Sequence, residues 1–153
     1  MEFCFYSTSK EQTMELGKII SSYLFPSLVI TLTGDLGAGK TTFVKGLASS
    51  MGVKEKVTSP TFNILKCYFL NPLDLYHIDA YRLDSGNKDI GLEEFIEGEG
   101  VTVIEWPIFI QEMIPNKTLE INITNSGDDK RTITLKSDIS SLEPLFSYLK
   151  ETF

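Results

Sequence analysis

The chain has 153 residues, 42% of them hydrophobic and 23% charged, which excludes a disordered or collagen-like polymer and suits one domain that needs no staples. Twenty-one acids stand against 14 bases, a net charge of −7. The imbalance is local: residues 79–112 hold nine acids and two bases while the rest carries twelve of each, so strong binding of nucleic acid by the chain alone is excluded, for want of clustered Lys and Arg. In chain order, residues 3–6 are expected to form a short strand. Ser9-Lys10-Glu11-Gln12 has the form of a capping box, and Leu16, Ile19, Ile20 and Tyr23 recur behind it at helical spacing, which predicts a helix near 9–24 ended by Pro26. Leu28 to Thr33 is an apolar, β-branched run and reads as a buried strand. Phe43, Val44, Leu47 and Met51 mark a second helix, with Gly52 as its stop.

Residues 61–70 and 73–79 read as strands with Asn71-Pro72 at the turn, residues 89–97 as a helix, and Val101 to Ile104 as a short buried strand ending at Glu105-Trp106-Pro107. A brief helix is predicted over 108–114. Leu119, Ile121 and Ile123 alternate, as do Ile133 and Leu135, with Ser126-Gly127-Asp128-Asp129 between them, so a hairpin is predicted. A last helix near 141–152 has Pro144 in its first turn, where a missing N–H costs little. These elements predict an α/β fold: one phosphate-loop NTPase-like domain, with a central mixed, mainly parallel sheet flanked by helices and a C-terminal β-hairpin and helix.

The segment from Gly34 to Thr41, Gly-Asp-Leu-Gly-Ala-Gly-Lys-Thr, fits G-x-x-x-x-G-K-[ST] and lies where the chemistry needs it, after a buried strand and at the opening of a helix. Glycines let successive backbone N–H groups turn around phosphate oxygens, and the helix N-terminus adds partial positive charge. Lys40 is placed to reach β- and γ-phosphates, and the Thr41 hydroxyl to ligate Mg²⁺. Two carboxylates close predicted strands, Asp79 and Glu105. In open α/β sheets ligands bind at the carboxyl ends of strands, so both are candidates for the metal's surroundings. His77, the only histidine, is read as a hydrogen-bonded structural group. Arg82 is read as pairing with nearby acids. For Trp106, strand alternation from a metal-facing Glu105 predicts a ring turned away from the metal, toward the 58–62 loop or a partner surface.

Four segments in order resemble the signature series of the TsaE (YjeE) family: Gly34 to Thr42, Thr58-Ser59-Pro60-Thr61-Phe62, His77-Ile78-Asp79-Ala80-Tyr81-Arg82-Leu83 and Glu105-Trp106-Pro107. The resemblance runs from about residue 9 to 137, with Ala80 standing where the family has a bulkier apolar residue. It implies a cytoplasmic ATPase that works with the TsaB and TsaD proteins. That complex forms threonylcarbamoyladenosine at position 37 of tRNAs reading codons that begin with A. It further implies weak ATP hydrolysis alone, more with partners, and tRNA met only through those partners. By position it assigns Gly37, Ala38, Gly39, Lys40, Thr41 and Thr42 to the nucleotide, Thr41 and Glu105 to Mg²⁺, and Asp79 to catalysis beside Lys40 and Glu105. It makes Ser59-Pro60-Thr61 a switch-like loop, and Arg131 either a nucleotide contact or a surface cation.

Rival readings are a small-molecule kinase, a small GTPase and a non-catalytic nucleotide-dependent adaptor. Kinases of that kind hold the transferred phosphoryl with several arginines, and this chain has two, Arg82 and Arg131. Asn116-Lys117-Thr118-Leu119 lacks the Asp of a guanine-recognition motif, and no Asp has Gly three residues on. No 18-residue apolar run is present, and Met1-Glu2-Phe3-Cys4 has no basic flank before an apolar stretch, so neither a membrane span nor a signal peptide is expected. Cys4 and Cys67 have no metal or redox spacing and are expected as reduced thiols.

Overall fold

The predicted strand after Pro26 forms over Val29–Thr33 and becomes the central strand of a seven-stranded sheet. The protein is described by a computed structural model over residues 1–60, 63–84 and 90–153. The strands are β1 (Glu2–Ser7), β2 (Val29–Thr33), β3 (Leu65–Tyr68), β4 (Leu75–Asp79), β5 (Val101–Glu105), β6 (Leu119–Gly127) and β7 (Lys130–Ser137). Their spatial order is β1-β7-β6-β2-β5-β4-β3. Strands β6, β2, β5 and β4 pair in parallel, while β7 pairs antiparallel with both β6 and the edge strand β1, and the other edge, β3, pairs antiparallel with β4. The mixed, mainly parallel sheet and its hairpin are as expected.

Helices α1 (Lys10–Ser21), α2 (Lys40–Met51) and α4 (Glu143–Thr152) cover one face, where Leu16, Phe43, Leu47 and Phe146 meet Ile30, Leu32, Val101 and Val103. The other face holds a smaller core, in which α3 (Leu92–Ile96) packs Leu92 and Ile96 against Val29, Ile78 and Ile104. This split fixes the orientation of the strand ends. Alternate residues of a strand share a face, so His77 and Asp79 lie on the side of Leu75, and Glu105 on the side of Val101 and Val103. That is the α2 side.

Several boundaries differ from the sequence expectation. Helix α1 begins as predicted, with Ser9 Oγ accepting from Gln12 N at 3.1 Å, but Gln12 Oε1 reaches the Thr8 amide rather than that of Ser9. Strand β3 starts only at Leu65, because the chain turns at Ile64, where φ is +68°. Residues 61 and 62 of the expected strand, and residue 89 of the expected helix, lie outside the described residues. The segment expected as a helix over 108–114 is a kinked 3-10 stretch (Pro107–Met113). Ile110 breaks it with φ −133°, and Pro115 follows closely. The hairpin strands run longer than expected, up to a turn at Asp128-Asp129. Among the described residues no helix is long and apolar enough to cross a membrane. Cys4 and Cys67 are both free thiols, and burial pushes the Cys67 thiol above its ordinary pKa, with Asp74 adding to the effect.

The angle at which α2 leaves the sheet depends on its contact with α1, which is backbone against backbone. A Cβ built at Gly46 would lie 2.7 Å from Met14 Cα, and one at Gly17 would lie 2.6 Å from the Phe43 carbonyl oxygen. None of these atoms can move without parting the helices. Gly46→Ala gains up to ~1 kcal/mol of helix propensity, but forced separation of two packed helices costs about 1–3 kcal/mol or more. We expect a net loss, seen as a Tm lowered by roughly 3–8 °C in a thermal melt. An unchanged or higher Tm would show that α1 and α2 tolerate separation.

Candidate functional site

The glycine-rich turn after β2 runs into α2 without a side-chain cap. Gly39 is the N-cap residue, with φ +104°, a conformation costly for any residue with a Cβ. The first amides of α2 are therefore left uncapped by side chains, and they open onto a cavity of ≈560 Å³. Its wall includes Gly37, Gly39, Lys40, Thr41 and Thr42 from the loop and helix, Asp79 and Glu105 from the strand ends, Trp106, and Arg131. The volume falls in the range of small-ligand sites. Of the residues assigned to the nucleotide, Gly37 to Thr42, Ala38 alone does not line it: its side chain is buried, its amide donates to the Asp35 carbonyl at 3.0 Å and its carbonyl accepts from Arg131.

Register brings the carboxylates together. Asp79 and Glu105 are direct partners on adjacent parallel strands, each 3% exposed. Glu105 Oε2 is 2.6 Å from His77 Nε2, and His77 is wholly buried. Its other carboxylate oxygen lies 3.7 Å from Lys40 Nζ. Lys40 is 6% exposed, and its ammonium also sits 4.2 Å from the centroid of the Trp106 ring. Among the described residues it has no hydrogen-bond partner. A buried ammonium with three unused donors is costly unless a ligand takes them up. Asp79 accepts from the Tyr81 amide at 3.0 Å and from Ser59 Oγ at 3.2 Å, which ties the strand end to the 58–60 segment. Thr61, in the same predicted loop, lies outside the described residues.

His77 thus has the expected hydrogen-bonded role, but its partner is one of the site's own carboxylates. Trp106 departs from expectation. It packs against the second-face core beside Ile104, as alternation requires. Yet its backbone is left-handed (φ +55°, ψ +51°), so the chain folds back and the ring also roofs Lys40. Such a conformation costs about 1–2 kcal/mol for a residue with a side chain. Here ring contacts with Tyr81 (4.9 Å) and Phe109 (6.3 Å) hold it. Arg82 is exposed on the 3-10 turn Tyr81–Leu83, and the cavity wall does not include it. Arg131 crosses from the hairpin to the loop: Nε donates to the Ala38 carbonyl at 2.7 Å.

Lys10 and Thr13 from the start of α1 also line the cavity, as does Asp129 from the hairpin turn. The capping box located the start of α1, but no local signal says that this end meets the loop. The donor set suits an anion and a hard cation. Lys40 and the uncapped amides attract negative charge, while Thr41, Asp79 and Glu105 offer oxygen ligands of the kind Mg²⁺ takes.

A family model described as "Threonylcarbamoyl adenosine biosynthesis protein TsaE" matches residues 7–133. The chain belongs to the TsaE family. Among its curated relatives is the tRNA threonylcarbamoyladenosine biosynthesis protein TsaE of Bacillus subtilis, 44% identical over 128 residues, which cover 84% of this chain and 81% of the relative. The protein of the same name from Treponema pallidum is 42% identical over 131 residues, or 84% and 96% of the two chains. The crystal structure of Bacillus subtilis YdiB superposes with a TM-score of 0.83 and 36% identity, covering 99% of this chain and 95% of that one. The TsaE match contains the loop, both strand-end carboxylates, Trp106 and Arg131.

Proposed function

We propose that this TsaE-family chain is a cytoplasmic ATPase that binds and hydrolyses ATP–Mg²⁺ in support of threonylcarbamoylation of adenosine 37 in tRNAs reading codons that begin with A. TsaB and TsaD are its partners, and tRNA is reached only through them. The observation that carries the ATPase reading is the Lys40 ammonium, buried at the mouth of a G-x-x-x-x-G-K-T loop without a hydrogen-bond partner. The tRNA reading rests on the names of the curated relatives. Acidic residues 79–112 favour a basic partner over direct contact with nucleic acid.

In this reading the amides of Gly37 and of Gly39 to Thr42, with the Lys40 ammonium, bind the phosphates; the Ala38 amide is spent on the Asp35 carbonyl. The Thr41 hydroxyl and the Glu105 carboxylate hold the metal. Bound Mg²⁺ neutralises charge on the β- and γ-phosphates. His77 Nε2–H donates to Glu105 Oε2 and fixes the carboxylate's direction. Asp79 orients water at the same strand end and reports the state of the 58–60 segment through Ser59. Trp106 covers Lys40 and limits solvent there. A kinase reading has less support, because Arg131, one of two arginines, is engaged with backbone carbonyls.

The test is a reconstituted tRNA-modification assay with TsaB and TsaD, run with and without this chain, with ATP turnover followed in parallel. Threonylcarbamoyladenosine formation over repeated cycles should require the chain, and its ATP turnover should rise when the partners are added. Modification at full rate without the chain would overturn the proposal. Modification that needs the chain while no ATP is consumed would favour a nucleotide-dependent adaptor instead.

A further inference from the structure

Arg131 spends its donors on backbone. Besides Nε to Ala38, Nη2 donates toward the Gly37 carbonyl at 3.4 Å, while Nη1 faces the carbonyls of Asp128 at 2.6 Å and Lys130 at 2.9 Å and the Asn125 side-chain oxygen at 3.3 Å. None of these acceptors is a carboxylate. We propose that Arg131 is a positioning residue that pins the glycine-rich loop from outside and so presets its amides for phosphate. The proposal rests on the nucleotide-binding reading above.

A peptide's C=O and N–H point in opposite directions across a trans bond. With the Ala38 carbonyl drawn to Arg131, the N–H of Gly39 in the same peptide faces away from the guanidinium. The fit is close: a Cβ added at Gly39 would lie 3.3 Å from Arg131 Nε, so the guanidinium would have to shift by a few tenths of an ångström to admit it. The tip of the loop is open. Leu36 is 75% exposed, and nothing lies within 4 Å of where a Gly37 Cβ would be. A segment with three glycines loses much entropy when ordered, and a charge-assisted clamp removes part of that loss from the binding step. The planar fork matters here. A lysine keeps the charge but cannot bridge the loop and the hairpin turn at once.

A pin acts on the loop whatever the number of phosphates, whereas a contact with the terminal phosphate acts on ATP alone. Arg131→Ala and Arg131→Lys, checked for native melts and circular dichroism, are titrated with Mg-ADP and with a non-hydrolysable Mg-ATP analogue. Both variants should weaken both ligands by the same factor, about tenfold, the size expected for losing charge-assisted hydrogen bonds. Methylguanidinium should restore part of the loss in Arg131→Ala. In the nucleotide-free protein, amide hydrogen exchange over residues 35–40 should accelerate in both variants. Weaker analogue binding with unchanged ADP binding would make Arg131 a terminal-phosphate contact and overturn the proposal. Unchanged exchange in the free loop would overturn it too. If the wild type binds neither ligand, the nucleotide reading fails by itself, and the exchange arm still decides whether Arg131 pins the loop.

Discussion

Replacing Lys40 with alanine should abolish ATP turnover and support of tRNA modification, yet leave the nucleotide-free protein as stable as before. The two halves of this expectation have different causes. Removing one preorganised donor from the place where charge develops typically costs about 10²–10³ in rate, and here the lost group is a full cation in a buried site. Stability behaves differently, because the free protein holds the ammonium at a cost. It is 6% exposed, and among the described residues it has no hydrogen-bond partner, with Glu105 at 3.7 Å and the Trp106 ring offsetting its desolvation. A cation over an aromatic ring returns about 0.5–2 kcal/mol, and an unpaired buried polar group costs about 1–3 kcal/mol. The terms nearly cancel, and Glu105, which loses the ammonium at 3.7 Å, keeps His77 Nε2 at 2.6 Å as its partner, so the melting temperature without ligand should move little. In the wild type Mg-ATP should raise it, since a ligand that binds only the folded state stabilises that state. In Lys40→Ala this rise should largely vanish. Thermal melts with and without Mg-ATP, beside a turnover assay, read both halves. Wild-type turnover in a folded Lys40→Ala protein would remove the phosphate-loop reading.

What the sequence made legible was local. The glycine-rich loop, the strand before it and the helix after it lie where their residues placed them. The strand-end carboxylates could be found because alternation and the carboxyl-end rule both act over a few residues. The rest depended on register between distant segments. Asp79 and Glu105 become neighbours only because β4 and β5 pair in that register. His77 then reaches Glu105 from two residues before Asp79, which the strand alone did not announce. Arg131 reaches Ala38 because the β6–β7 hairpin docks beside β2, a contact across 93 positions of sequence. Trp106 was misjudged for a different reason. Strand alternation stops where backbone dihedrals leave the β region, and at Trp106-Pro107 they do so abruptly.

That left-handed turn sharpens the expectation for Glu105. With Lys40 Nζ 4.2 Å from the Trp106 centroid, the only tryptophan is a probe of the lysine that the phosphates should engage. Nucleotide binding should draw the ammonium toward phosphate and change the fluorescence, and ATP with Mg²⁺ should give a signal different from ADP. If Glu105 holds the metal, Glu105→Ala should lose the Mg²⁺ dependence of that signal and nearly all turnover, a fall of about 10²-fold or more. Nucleotide affinity should fall less, since the loop amides and Lys40 remain. The alanine variant also strips a buried partner from His77 Nε2 and from Lys40, so some loss of stability, about 1–3 kcal/mol, accompanies it. Glu105→Gln separates the two effects. Its amide oxygen can still accept from His77, so stability should return toward wild type, while a neutral ligand leaves the Mg²⁺ dependence and turnover impaired. If Glu105→Ala keeps the wild-type Mg²⁺ dependence, Glu105 does not bind the metal. Asp79, its register partner at the next strand end, then takes that role.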